Sequence, residues 1–208
     1  SKGDGHSMVR LNKKSINNNR ERYLSKEEAK LLLETLKDYR FDLYFIALIS
    51  LTTGARVGEI LGLQNKNIDI INGFFNLEET KNGTSRKLKM TKTVLELIKN
   101  RDIDFSKPND YLFKSKYGTK LTGIPHIYTK IVKELFNSEL DKNDRRNKVC
   151  FHTLRHTFAS QLAIQGTPIF TIQKLMGHKS IDMTLRYAKL SPDVGVEAVE
   201  ALENKFIL

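Results

Sequence analysis

Apolar residues recur at helical spacing through the first quarter of the chain. Ser25 is followed three positions later by Glu28, the pattern of a capping box, and an amphipathic run follows. The next segment, 42–52, is apolar on nearly every side, which predicts a buried helix. Gly54 interrupts this run, and we expect a short helix over 56–63.

The periodicity then changes to that of β-strands. Three short runs with strand character occupy 68–71, 74–79 and 86–90. They are separated by Asn-Gly pairs at 72–73 and 82–83. Asn-Gly between apolar runs is the strongest short-range signal for a β-hairpin. The segment therefore predicts a small antiparallel sheet of three strands.

Helical periodicity returns after the sheet. Helices are predicted over 93–100, 125–135, 151–165, 169–176, 181–185 and 193–204. Two polar segments, 106–109 and 139–148, are predicted loops. The pattern as a whole predicts a mainly α fold with a small three-stranded antiparallel sheet, in the α+β class.

Composition excludes several classes of protein. Of the 208 residues, 39% are hydrophobic and 28% are charged, which is typical of a globular domain that can bury its own core. The longest apolar stretch, Leu43 to Leu51, is too short to span a bilayer, and no secretory signal opens the chain. The single cysteine, Cys150, cannot form an internal disulfide. We therefore expect a cytoplasmic protein with no membrane partner.

The start of the chain is set apart from the predicted domain. Residues 1–8 have the small, polar composition of an expression-tag remnant, and 9–22 resemble a basic linker. Folded structure is expected over 23–208.

Net charge gives the first indication of a partner. Lysine and arginine number 35 against 24 aspartate and glutamate, so the formal net charge is +11. An excess of this size is expected of a protein that binds a polyanion such as nucleic acid. A basic protein without such a partner is an equally good explanation of charge alone.

The segment around Arg155 carries the most chemical information. On a helix that begins at Phe151, Arg155 lies at the edge of the apolar face, with His152 and His156 beside it. A guanidinium that is partly withdrawn from water needs an anion, and its planar fork of donors matches phosphate. Pairing with a buried carboxylate is the structural alternative. A zinc site of both histidines and Cys150 is disfavoured, because no further ligand pair or metalloprotease glutamate is nearby.

Arg56 opens the short helix that follows the glycine turn. Because a helix N-terminus favours anions, a guanidinium at this position contributes to a phosphate cradle. Glu59 lies three residues later and is placed to brace Arg56. A simple surface ion pair between the two is the alternative, and both arrangements are compatible.

Three more candidates lie near turns. Gly177 is a predicted helix C-cap that presents His178 on a turn. Tyr187 follows near the end of a short helix, and Lys81 lies at the tip of the second hairpin. Taken singly, the tyrosine is explained as a core aromatic and the lysine as a solvated turn residue.

Together, these motifs resemble the tyrosine recombinases, the family of phage integrases and Xer-type recombinases. The motifs are Thr-Gly-Ala-Arg-Val-Gly-Glu at 53–59, a hairpin lysine, His-x-x-Arg-His at 152–156, Leu-Met-Gly-His at 175–178 and a following tyrosine. The resemblance covers about 23–205 and is specific, because all these elements must occur in one order. The Thr-Leu-Arg-Tyr-Ala sequence around the tyrosine is most similar to integrases of phages and mobile elements.

The resemblance implies a reaction and the residues that perform it. The implied catalytic residues are Arg56, Lys81, His152, Arg155, His178 and Tyr187, with Glu59 and His156 in structural support. Lys87 and Lys89 are alternatives to the hairpin lysine. The tyrosine would attack a DNA phosphodiester, form a 3′-phosphotyrosyl bond and release a 5′-hydroxyl. No cofactor and no metal would be required.

The resemblance also implies partners. The substrate would be double-stranded DNA, on which protomers form a tetramer across two DNA sites and can exchange their C-terminal helices. A final helix that packs on its own core is the alternative. The family also has an N-terminal DNA-clamping domain, for which we expect no room in 1–208, so the chain would be a catalytic fragment or a short natural variant. A type IB topoisomerase-like relaxer and a catalytically silent DNA-binding module are the competing functions.

Overall fold

The computed structural model of the chain describes residues 22–77 and 85–206. Within these ranges the helices are α1 Lys26–Tyr39, α2 Phe41–Thr53, α3 Val57–Leu61, α4 Lys92–Lys99, α5 His126–Val132, α6 Phe151–Ile164, α7 Ile169–Met176, α8 Asp182–Leu185 and α9 Gly195–Phe206. The strands are β1 Ile68–Asp69, β2 Phe74–Leu77 and β3 Arg86–Lys89. The predicted fold class, mainly α with a three-stranded antiparallel sheet, is confirmed.

The first helix begins where its capping signal predicts. Ser25 Oγ accepts a hydrogen bond from Glu28 N at 3.1 Å, and the Glu28 carboxylate accepts one from Ser25 N at 2.8 Å. These two bonds satisfy backbone donors that the first turn leaves without intrahelical partners. Leu32 and Leu36 are then buried in a core shared with α2 and α5.

Helix α2 is the central helix of the fold. It packs against α1, α3 and α6, and its side chains are buried on nearly all sides, as predicted. Gly54 ends it in the left-handed conformation, with φ at 67°. A Cβ at this position would lie 2.5 Å from Phe158 Cδ1 on α6. Glycine therefore allows both the turn and the close approach of α6.

The sheet has the order β1-β2-β3 and is antiparallel throughout. Phe75 pairs with Ile68 on one side and with Leu88 on the other, and all three are buried against α4 in the core. The tip of the β2–β3 hairpin, 78–84, lies outside the described residues. The prediction for Lys81 therefore concerns a residue that the structure does not describe.

Several predicted elements end elsewhere in the structure. Strand β1 stops at Asp69, not at 71, because the Asp69 carboxylate accepts a hydrogen bond from Asn72 N at 2.9 Å and starts the turn early. Helix α5 ends at Val132 and continues as a π-helical turn over Lys133–Asn137. Helix α9 starts two residues later than expected, because Asp193 Oδ1 accepts from Gly195 N at 3.1 Å.

Across 22–77 and 85–206, the helices are too short or too polar to cross a bilayer.

Candidate active site

One pocket gathers most of the predicted site residues. It has a volume of about 270 Å³. Its walls are formed by Arg56, His152, Arg155, His156, Met176, His178, Asp182, Met183, Arg186 and Tyr187. These residues come from the start of α3, the first half of α6, the end of α7 and the segment around α8. The fold therefore joins parts of the chain that are more than a hundred residues apart.

Arg155 is the most deeply buried charged group of this pocket, with 2% of its surface exposed. Its guanidinium donates hydrogen bonds to the backbone carbonyls of Gly54 and Met176. These carbonyls lie at the C-terminal ends of α2 and α7, where helices leave acceptors unpaired. Burial, followed by the charges of Arg56 and Arg86, lowers the pKa of Arg155. The hydrogen bonds described for the Arg155 guanidinium therefore go to backbone carbonyls. The alternative from the sequence was that Arg155 pairs with a buried carboxylate.

Arg56 is braced by Glu59, as the spacing predicts. Arg56 NH1 donates to Glu59 Oε1 at 3.1 Å, and the Arg56 backbone N–H donates to Glu59 Oε2 at 2.7 Å. Arg56 NH2 also donates to the Gly177 carbonyl at 3.3 Å. These contacts fix a half-exposed guanidinium at the rim of the pocket.

A second arginine, Arg86 on β3, shares the same carboxylate. Arg86 NH2 donates to Glu59 Oε2 at 2.6 Å. Burial acts to raise the pKa of Glu59, but the charge of Arg86, the hydrogen bond from the Arg56 backbone N–H and the hydrogen bond from the Arg86 side chain outweigh it, so the pKa is lowered. Glu59 is therefore ionised at neutral pH. No local sequence pattern indicates this role for Arg86, because an arginine at the start of a strand is usually a solvated residue.

His178 lies on the turn that the glycine C-cap predicts. Gly177 has φ of 60°, and His178 Nδ1 shares a hydrogen bond with Thr184 Oγ1 at 2.9 Å. Burial, then the charges of Arg155, Arg56 and the other site arginines, lowers the pKa of His178 to about 4. The imidazole is therefore neutral at pH 7.

Tyr187 is buried, with 4% of its surface exposed. Its hydroxyl shares a hydrogen bond of 2.6 Å with His156 Nδ1. The ring of His156 in turn meets the ring of His152 edge-on, with 4.7 Å between centroids. Burial raises the pKa of Tyr187, although Arg186 and Arg155 oppose this. The phenol is therefore protonated at neutral pH and lies beside a histidine pair.

The predicted residues thus divide into two groups. Seven of them, Arg56, Glu59, His152, Arg155, His156, His178 and Tyr187, lie in or against the pocket, whereas Lys81 falls outside the described residues. Two residues that were not predicted also belong to the site: Arg186 lines the pocket, and Thr184 shares a hydrogen bond with His178. Both lie in the Thr-Leu-Arg-Tyr-Ala motif around Tyr187, and this proximity in sequence is the signal that could have indicated them. Within 22–77 and 85–206, no three His, Cys, Asp or Glu side chains are grouped closely enough to hold a metal.

Comparison with known proteins identifies related chains. Residues 22–193 match the family model described as the phage integrase family. The chain is 31% identical over 185 residues to tyrosine recombinase XerA of Pyrococcus furiosus, and the alignment covers 87% of this chain and 63% of that protein. It is 30% identical over 178 residues to the integrase of Escherichia phage P2, with 85% of this chain and 45% of that protein covered. It therefore spans less than two thirds of the length of both relatives.

Solved structures share the fold. The catalytic domain of bacteriophage HP1 integrase superposes with a TM-score of 0.64 at 25% identity, and the match covers 89% of this chain and 94% of that one. The Tn1549 transposon integrase in complex with a circular intermediate DNA gives a TM-score of 0.65 at 23% identity. That match covers 88% of this chain and 65% of the transposon protein, and it shows likeness of fold.

Proposed function

The chain belongs to the phage integrase family, and on that premise we propose that it is the catalytic domain of a site-specific DNA recombinase. It would cleave and rejoin strands through a 3′-phosphotyrosyl intermediate. The observation that carries the proposal is the pocket that brings Tyr187 together with Arg56, Arg155 and His178. A tyrosine beside two guanidinium groups is suited to attack on a phosphodiester.

The two arginines and His178 would stabilise the transition state. Attack on phosphorus gathers negative charge on the non-bridging oxygens, and donors fixed in a buried site stabilise this charge strongly. Arg155 uses hydrogen bonds to two carbonyls to hold its orientation, and it has further N–H groups to offer the phosphate. His178 is neutral and can donate from Nε2 while Nδ1 accepts from Thr184. Positive side chains would supply what a divalent metal supplies in other nucleases.

The nucleophile needs a proton acceptor, because burial raises the pKa of Tyr187. The resemblance to the family places His152 among the catalytic residues, and a histidine of this kind is suited to accept the proton. The hydroxyl contacts His156 in the structure, and His156 contacts His152. We therefore propose that His156 is the first acceptor of the phenolic proton. His152 lies beside His156 and would assist it. Replacing either histidine by glutamine should slow attack, and the His156 variant should be the slower one.

The leaving 5′-oxygen needs a proton, for which Lys81 is our candidate. A 5′-thiol leaves without protonation, so a substrate with sulfur at this position tests the assignment. The Lys81→Ala variant should be slow on the oxygen substrate and close to the unaltered protein on the sulfur substrate. If the defect persists on sulfur, the lysine is not the general acid, and Lys87 and Lys89 are tested in the same way.

The substrate would be double-stranded DNA, and the partners would be further copies of the chain. The net charge of +11 favours a polyanion, and the Tn1549 relative was solved with DNA. Helix α9 exposes an apolar stripe in which Val196, Val199 and Leu202 are 69%, 68% and 52% exposed. A helix that packed on its own core would bury this stripe, and an apolar stripe left exposed to water is typical of an interaction surface. We propose that α9 docks on a neighbouring protomer when protomers assemble on DNA.

One experiment separates the recombinase from its competitors. Two labelled duplexes that share a site are incubated with the protein, and a supercoiled plasmid is included in a parallel reaction. Joined strands from different duplexes support a recombinase. Relaxed plasmid without strand exchange identifies a type IB topoisomerase-like relaxer. DNA binding without either product identifies a silent binding module and contradicts the proposal.

A further inference from the structure

Arg86 has the environment of a functional arginine, although the proposed chemistry does not use it. Its side chain is 12% exposed, and its two terminal nitrogens reach different elements. NH2 donates to Glu59 Oε2 at 2.6 Å, and NH1 donates to the Leu175 carbonyl at 2.5 Å. Burial of a guanidinium is costly unless its donors find partners, and here both ends of the fork do.

The two contacts of Arg86 lead to two different site residues. Glu59 holds both the backbone N–H and NH1 of Arg56. Leu175 lies in the last turn of α7, two residues before the glycine that precedes His178. Arg86 itself lies on β3, the strand that follows the hairpin tip. One side chain therefore links three segments that carry predicted site residues.

The Arg86 side chain passes close to the backbone of Gly177. A Cβ on Gly177 would lie 2.9 Å from Arg86 Cδ and 3.0 Å from its Nε. Glycine at 177 thus serves the turn and also the passage of the Arg86 side chain. The Glu59 carboxylate lies between Arg56 and Arg86 and accepts hydrogen bonds from both. Without its negative charge, the two guanidinium groups would repel each other.

We propose that Arg86 is a positioning residue, which acts through Glu59 to orient Arg56 toward the phosphate and through the Leu175 carbonyl to hold the His178 turn. The inference rests on the proposed strand cleavage. Arg86 does not line the pocket, so it acts on the phosphate through these neighbours. Since a displacement of about 1 Å can cost about 100-fold in rate, loss of its contacts should be visible in the cleavage step.

The test compares two DNA substrates. One is a nicked suicide duplex with an ordinary phosphodiester, and the other carries a methylphosphonate at the scissile position, which lacks the negative charge that Arg56 would clamp. Single-turnover rates of covalent adduct formation are measured for the unaltered chain and for Arg86→Gln, Arg86→Lys and Arg56→Ala. Lys99→Ala, which removes an exposed charge at the end of α4, controls for loss of net charge.

On the phosphodiester, Arg86→Gln should lower the adduct rate about 100-fold, and Arg86→Lys, which keeps the charge but loses the fork, should lie between it and the unaltered chain. On the methylphosphonate, the defects of Arg86→Gln and Arg56→Ala should both be much smaller than on the phosphodiester, because the charge that Arg56 would stabilise is missing. Lys99→Ala should match the unaltered chain on both substrates. A general structural role would slow both substrates equally, so an Arg86→Gln defect of the same size on both overturns the proposal.

A second measurement does not depend on activity. Melting temperatures are determined for Arg86→Gln, Glu59→Gln and the double variant. Because both act in one contact, the double variant should lose little more than the larger single loss. Additive losses would contradict the link between Arg86 and Glu59. If the unaltered chain forms no adduct on any duplex, the proposed function fails, and these melting temperatures still decide whether the link exists.

Discussion

At the scale of single residues, the site is governed by positive charge withdrawn from water. Arg155 is almost fully buried and Arg86 nearly so, and both lie close to the half-exposed Arg56. Burial of the imidazole, together with the field of these arginines, lowers the pKa of His178 and keeps it neutral. Burial raises the pKa of Tyr187, and the charges of Arg186 and Arg155 act in the opposite direction by favouring the phenolate. An incoming phosphate would relieve this concentration of charge.

The first prediction concerns acid sensitivity. His178 has a pKa of about 4 in the folded protein, below the ordinary histidine value of about 6.5. As pH falls between these values, the unfolded chain takes up a proton that the folded chain refuses, so stability falls. His178→Gln cannot take up this proton. Its melting temperature should therefore drop less between pH 7 and pH 5 than that of the unaltered chain.

His126→Gln, which replaces an exposed histidine at the start of α5, is the control for this measurement. It should follow the unaltered chain at every pH. If His178→Gln loses as much as the control over the same pH interval, the depressed pKa is wrong.

The second prediction concerns Gly177. In Gly177→Ala, the left-handed backbone should cost about 1–2 kcal/mol of unfolding free energy, and the new Cβ would also displace Arg86. Gly118→Ala is a matched control, because Gly118 has φ of 75° but open space around it. Both variants should melt at lower temperature. The adduct rate should fall at least about 10-fold in Gly177→Ala and stay unchanged in Gly118→Ala. Equal adduct rates would contradict the contact.

The site residues that belong to a motif could be predicted from the sequence. Arg56, Arg155 and Tyr187 could be named because motif order and spacing identify them. Arg86 could not be named, because its role depends on β3 passing the end of α7, a contact that no local pattern encodes. The same holds for the hydrogen bond between Tyr187 and His156, which joins α6 to the segment after α8.

At the scale of elements, helix starts and stops were predictable where a side chain or a glycine enforces them. The capping box at Ser25 and the left-handed Gly54 and Gly177 all lie where the sequence places them. The end of α5 was not predictable, because the helix changes to a π-helical turn without a glycine or proline to mark it. The short β1 follows from a side-chain turn at Asp69, which competes with the strand ladder.

The third prediction concerns the hydrogen bonds by which Arg155 connects the ends of α2 and α7. Arg155 bridges the C-terminal carbonyls of α2 and α7, and a lysine ammonium cannot span both with a planar fork. Arg155→Lys should therefore melt at lower temperature and form adduct at least about 100-fold more slowly. Arg101→Lys is the control, because Arg101 pairs with Asp42 away from the pocket and part-exposed pairs contribute about 1 kcal/mol or less. Unchanged melting of Arg155→Lys would contradict the bridge.

At the scale of the whole molecule, α9 is the element that the rest of the fold supports least. The apolar side chains described for α9 are exposed, and α9 makes few contacts with the other described elements. We interpret it as an arm for a second protomer. The fourth prediction is that a chain ended after Asp193 keeps its stability within about 0.5 kcal/mol, because little burial is lost.

The shortened chain should fail to assemble on DNA under conditions in which the unaltered chain forms higher species, as seen by light scattering or analytical ultracentrifugation. The adduct on a single duplex should persist. A large fall in melting temperature would show instead that α9 packs on its own core, which was the alternative from the sequence.

The central claim is that Tyr187 is the nucleophile of a metal-independent DNA strand cleavage. The most direct measurement is covalent trapping on nicked suicide duplexes in EDTA, followed by denaturing gels. Tyr187→Phe is run beside Tyr117→Phe, which replaces a tyrosine that is 78% exposed and outside the pocket. We predict an adduct with the unaltered chain and with Tyr117→Phe, and none with Tyr187→Phe. An adduct that survives in Tyr187→Phe, or one that forms only with added divalent metal, would contradict the mechanism.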